Sequence, residues 1–135
     1  MRKLTKRIAA MGAAMCMAIS MMSIGASANQ ASYQDSNCIV LAYTSFTTST
    51  AYSNGTVTNL SSTKTSYSVK SSLYSKTSGG SISSTQSNWK TASLKKNGVV
   101  KATASSGKKA SYTYSAKTQV MRNNSPLTII QSDYA

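Results

Sequence analysis

Few side chains in this sequence can do covalent chemistry, and their types narrow what it can be. There is no histidine and no glutamate; Asp35 and Asp133 stand alone against 15 lysines and arginines. Without imidazole there is no neutral-pH base of the usual kind, no Ser-His-Asp triad and no histidine metal ligand. Two aspartates far apart in sequence give little material for paired-carboxylate hydrolysis or a hard-cation site. A Ser–Lys dyad remains conceivable on paper. A lysine base must be desolvated to lower its pKa, however, and every lysine here sits in a polar strand face or a turn. Cys38 lies between Asn37 and Ile39, whereas a nucleophilic thiol needs a cationic neighbour and access to solvent. The sequence therefore reads as non-enzymatic, with no metal or other cofactor expected.

What remains is electrostatic. Lys95, Lys96, Lys101, Lys108, Lys109, Lys117 and Arg122 crowd the second half of the chain and form the candidate polyanion-binding set. Lys95-Lys96 and Lys108-Lys109 are expected at the two ends of one hairpin-like region, on neighbouring turns. With a single candidate arginine, diffuse attraction is expected rather than planar, bidentate recognition of phosphate or carboxylate. The bland alternative is that these lysines keep a Ser/Thr-rich protein soluble.

The amino terminus is an export signal in pattern. Arg2, Lys3, Lys6 and Arg7 precede an apolar run from Ile8 to about Ala26, and Ala26-Ser27-Ala28 supplies a small-x-small cleavage site. Residues 1–28 are thus expected to be removed, leaving a secreted domain of 107 residues, 29–135. No segment of that domain is long or apolar enough to span a bilayer by itself. Its ten lysines and one arginine against two aspartates leave a net charge of +9. Polyanions attract such a surface through long-range fields and counterion release. Outside a cell the available partners are anionic cell-wall polymers such as teichoic acids, lipid headgroups, glycans and released DNA; export excludes regulatory, sequence-specific nucleic-acid binding. Cys38 is the remaining thiol, so no internal disulfide can form. A buried small side chain is the simpler expectation for it, and a disulfide-linked dimer through Cys38 the alternative.

The elements that position these residues must be strands. Serine and threonine make up 39 of the 107 residues, and Ile, Leu, Val and Phe only 16. That balance approaches the composition of disordered chains. Alternation argues for order. In 66–75, Tyr67, Val69 and Leu73 share one face while Lys70, Ser72 and Tyr74 share the other. In 110–120, Ala110, Tyr112, Tyr114, Ala116, Thr118 and Val120 alternate with polar residues. Turn signals fall between such runs at Ser53-Asn54-Gly55, Ser78-Gly79-Gly80, Asn97-Gly98, Ser105-Ser106-Gly107 and Asn123-Asn124-Ser125-Pro126. Seven or eight strands are expected, near 38–44, 47–52, 56–60, 66–76, 81–93, 98–104, 109–121 and 127–134. The fold class is all-β: a small antiparallel β-sandwich. Its thin core is expected to hold Tyr67, Val69, Leu73, Trp89, Tyr112, Tyr114, Val120, Leu127 and Ile129, under the apolar Ile39–Tyr43 strand.

The succession of an export signal, an Asn-Gly turn, Leu73-Tyr74, Gly79-Gly80, Trp89 and a late Tyr112-x-Tyr114 strand resembles small exported β-sandwich proteins of Gram-positive Firmicutes. That resemblance implies a secreted protein with no assigned activity. Here Ser87-Asn88-Trp89 replaces the Gly-x-Trp of that pattern. Thr50-Ala51-Tyr52-Ser53-Asn54, Trp89-Lys90-Thr91-Ala92 and Lys109-Ala110-Ser111-Tyr112-Thr113-Tyr114 are also similar, in order, to segments of the lactococcin-type bacteriocins. Their histidines and N-terminal Trp/Gly-rich stretch are missing here. This second resemblance implies an antimicrobial acting at the envelope of related bacteria.

Overall fold

A computed structural model describes residues 30–135, so the expected leader and its cleavage site lie outside the described residues. Nine strands follow one another: β1 (Gln30–Gln34), β2 (Cys38–Phe46), β3 (Thr50–Asn59), β4 (Thr65–Lys76), β5 (Ile82–Gln86), β6 (Lys90–Leu94), β7 (Val99–Gly107), β8 (Thr113–Arg122) and β9 (Ser125–Gln131). All pairings are antiparallel. The first sheet runs β1-β2-β3-β7; the second runs β5-β4-β8-β9, with β6 also on β4. Because β8 pairs with most of β4, β5 and β6 share its other edge. The expected antiparallel sandwich is the observed fold.

Local chemistry explains most boundaries. Asn97, Asn123 and Asn124 adopt positive φ, as does Gly80 at φ 92°, and they close the β6–β7, β8–β9 and β4–β5 turns. Asn and Gly tolerate that region where other residues do not. Asp35 turns β1 into β2 by accepting the amides of Asn37 and Cys38 at 2.8 and 2.9 Å, an Asx-type turn.

Several expected boundaries differ from the structure: the strand expected over 109–121 begins at Thr113 and the one over 127–134 runs from Ser125 to Gln131, and three further differences are larger. Ser53-Asn54-Gly55 is no turn but the middle of β3, so the strands expected at 47–52 and 56–60 are one. Ser105-Ser106-Gly107 ends β7 rather than following it. The strand expected over 81–93 is broken at Ser87–Trp89, where the register against β4 slips by one residue between β5 and β6. Serine makes that break possible: the Ser87 hydroxyl accepts the Ser71 amide, and the Ser87 amide donates to the Ser71 carbonyl. β1 carries no turn signal and only a short alternation, so nothing local in the sequence marks it as a strand.

The core lies between the sheets in two parts. One gathers Val40, Val57, Tyr67, Val69, Leu94, Val100 and Val120 around Cys38; the other gathers Ala51, Leu73, Ala104 and Tyr114, with Phe46 and Tyr112 against it. Phe46 meets Tyr114 edge to face at 5.7 Å. Between the two parts runs a polar waist. Ser71 Oγ donates to the Ser53 carbonyl at 2.9 Å and lies 2.7 Å from Ser53 Oγ. Thr118 Oγ1 donates to the Leu41 carbonyl at 3.3 Å. These small side chains let the sheets approach, and their hydroxyls satisfy one another across the gap, as burial demands. Trp89 and Ile129 are not core residues: they are 41% and 60% exposed. Trp89 falls in the β5–β6 break, and Ile129 pairs with Gln119 on the outward face of β8.

Candidate functional site

Arg122 is drawn inward by geometry that its position in the sequence conceals. It pairs with Tyr67 in the β4–β8 register and therefore points between the sheets. Its Nη2 donates to Asp35 Oδ2 at 2.8 Å and to Cys38 Sγ at 3.3 Å, and its Nε donates to the Tyr67 hydroxyl at 3.1 Å. The guanidinium also lies 5.5 Å from the Tyr67 ring centre. This network ties the β1–β2 turn of one sheet to the end of β8 in the other. Burial alone would raise the Asp35 pKa, but the Arg122 guanidinium and two backbone amides outweigh it and hold the carboxyl below its ordinary value. Burial pushes the Tyr67 hydroxyl up to about 12, against the pull of Arg122. The Cys38 thiol is fully buried, and burial raises its pKa too. Arg122 thus leaves the candidate polyanion-binding set: its charge is already matched inside the protein.

The lysines behave differently. None of the ten is buried. Lys95-Lys96 and Lys108-Lys109 occupy the successive turns before and after β7, as expected. They flank opposite ends of β7, a nine-residue strand, and so lie about 27 Å or more apart. Lys108 Nζ sits 5.3 Å from the Phe46 ring centre and Lys109 Nζ 5.1 Å from that of Tyr112. Lys101 lies on the outward side of β7 in the first sheet, opposite Thr56. Lys117 lies on the outward side of β8 in the second sheet, opposite Ser72. The expected set is therefore spread over both ends and both faces of the sandwich.

The register assembles another group on the outer face of the second sheet. Tyr67, Val69, Ser71 and Leu73 of β4 point inward, so Lys70, Ser72, Tyr74 and Lys76 point outward. Three lysine–aromatic pairs form there: Lys70 over Trp89 at 5.9 Å, Lys117 over Tyr74 at 5.8 Å, and Lys76 over Tyr134 at 5.4 Å. Lys70 and Lys76 are six positions apart on one strand, which spreads the row over about 20 Å. Uncharged donors and acceptors fill the neighbouring positions: Gln86 and Gln131 lie in the same cross-strand row as Ser72 and Lys117. The outer face of the first sheet differs. Its β2 positions Ile39, Leu41 and Tyr43 are apolar and only 2–4% exposed.

Of the seven residues picked out in the sequence, only Lys117 belongs to this row. Lys70 and Tyr74 were assigned to the outward face by alternation, but nothing in the sequence joined them to Trp89 or Tyr134. Those contacts depend on the β5–β6 break and on the C-terminal segment returning beside β8, where Ala135 exchanges backbone hydrogen bonds with Tyr114.

No family model and no curated protein matches the chain. Among solved structures, a DUF4848 family protein from Bacteroides thetaiotaomicron aligns with a TM-score of 0.39 at 14% identity. The alignment covers 78% of this chain and 46% of that one, so the chain spans under half of that neighbour's length.

Proposed function

We propose that this protein is a secreted, non-enzymatic binding protein that associates with anionic polymers of the cell envelope or with extracellular glycans. One observation carries the reading. The two aspartates are the only acidic side chains, and Asp35 is taken by Arg122, so the ten lysines face solvent with Asp133 as their one remaining acidic counterpart. A surface of that kind concentrates polyanions around it and binds them in a salt-dependent way. The lack of histidine and the low exposure of the one mature thiol are in keeping with a binding role rather than catalysis.

The test uses protein expressed from the complete 135-residue chain and incubated with intact Gram-positive cells in rising salt, with viable cells counted in the same tubes. Retention that falls steeply with salt and leaves the cells alive is the expected result. Killing at low dose, or retention that survives high salt, would instead point to a specific envelope receptor and the antimicrobial reading. Absence of retention at any salt concentration would leave the lysines as a solubility device.

A further inference from the structure

We infer that the outer face of the second sheet binds an anionic polysaccharide laid along β4, with Trp89, Tyr74 and Tyr134 as stacking platforms and Lys70, Lys117 and Lys76 as their charged partners. This rests on the polyanion-binding reading above and narrows it to one face and one ligand class.

The pairing of residue types is the first reason. A sugar ring offers an apolar C–H face that packs on an aromatic ring, while a carboxylate or phosphate on the same unit needs a cation close by. Each lysine–aromatic pair presents both within 6 Å. Lysine stems lie along apolar surface while their ammonium groups stay in water. Each ammonium is therefore near the ring yet free to meet an anion, which can draw it from the ring without leaving the face.

Spacing is the second reason. The row contains three cations over about 20 Å of strand. That density suits a polymer with charges separated by one or more sugar units. Duplex DNA carries a charge about every 1.7 Å of its axis, and the one described arginine, the residue suited to planar phosphate contacts, is bound inside the protein by Asp35. The third reason is the ground between the pairs. Gln86, Gln119 and Gln131 are uncharged hydrogen-bonding groups beside the row and reach solvent, suited to the hydroxyls of a glycan. Trp89 has the exposure to act as a platform, at 41%, and core packing does not account for it.

Trp89 is also the chain's single tryptophan, so its fluorescence reports on this face and nowhere else. Protein expressed from the complete chain is titrated with hyaluronan (a carboxylated polysaccharide), with inorganic polyphosphate (a polyanion without rings) and with oligo-dT. The expected result is that hyaluronan binds at least about tenfold more tightly than the other two and changes Trp89 emission. Tyr74→Ala and Tyr134→Ala should each weaken hyaluronan binding about five- to tenfold and leave polyphosphate binding unchanged. Lys70→Gln and Lys117→Gln should weaken binding of both, while the double variant Lys95→Gln/Lys96→Gln, off this face, should weaken hyaluronan and polyphosphate binding by one smaller and equal factor, through net charge alone. Circular dichroism shows that each variant is folded.

Polyphosphate binding without a preference for hyaluronan, or hyaluronan binding indifferent to the tyrosines, would overturn this inference while the broader polyanion reading stands. Tyrosine-dependent binding that favours oligo-dT would overturn it in favour of single-stranded nucleic acid. Binding to none of the three would bring down the broader reading as well.

Discussion

Gly55 and Thr118 face one another across the sandwich so closely that a β-carbon on Gly55 would lie 2.6 Å from Thr118 Oγ1. Gly55 is not at a turn and its φ is not positive; its role is to have no side chain. The absent β-carbon leaves room for the Thr118 hydroxyl that donates to Leu41 in the opposite sheet.

Gly55→Ala should therefore destabilise the fold by about 1–3 kcal/mol, the usual cost of overpacking. Gly107→Ala is the control, because a β-carbon there meets nothing within 4 Å. Urea midpoints for the two variants check this: the first should fall and the second should stay within a few tenths of a kcal/mol of the parent.

The Asp35–Arg122 pair should make stability sensitive to acid. The Asp35 carboxyl is held below its ordinary value of 3.8 in the folded state. Its contribution is thus fully present above the unfolded pKa and is lost as pH falls through the folded one. Asp35→Asn should cost about 1–3 kcal/mol near neutral pH, between the values for exposed and buried pairs. It should also flatten the decline in stability below about pH 4. Urea unfolding at a series of pH values measures both; a decline as steep in the variant as in the parent would assign the acid sensitivity to another group.

Tyr114 and Trp89 should separate packing from surface chemistry. Tyr114 is 1% exposed, touches Phe46, and accepts the Lys109 amide at 2.8 Å through its hydroxyl. Tyr114→Ala should cost about 3–5 kcal/mol. Trp89→Ala should cost under about 1 kcal/mol, because the ring lies outside the core. Thermal melts of both variants decide it, and equal losses would place Trp89 back among the structural residues.

Cys38 should be inert in the folded protein. Its thiol is buried, raised in pKa by that burial, and occupied by Arg122. Ellman's reagent should react slowly with native protein and at once in denaturant, and non-reducing gels should show monomer. Fast reaction of the native protein, or a disulfide-linked dimer, would mean that β2 opens readily at Cys38.

Period-two alternation made β4 and β8 legible, because a side chain's face in a strand follows from counting residues. Gly79-Gly80, Asn97-Gly98 and Asn123-Asn124 were legible as turns, because positive φ excludes most other residues. Gly55 misled for the same reason: Asn-Gly is a strong hairpin signal, and only the packing of Thr118 overhead shows that this glycine serves a close approach. Trp89 misled because a large aromatic ring is usually assigned to the core, whereas a one-residue register slip at Ser87–Trp89 placed it outside. Arg122 read as one more surface cation, since nothing local shows that Asp35, 87 positions earlier, returns to meet it.

The sequence by itself determined the strand class of the chain, its antiparallel sandwich and its basic surface, because alternation, turn chemistry and net charge are local or summed properties. Tertiary structure decided which cation is spent on stability and which lysines stand beside an aromatic ring. Those outcomes depend on strand order, register and the inward or outward sense of each edge. They are set by contacts between distant segments, which no count along the chain records.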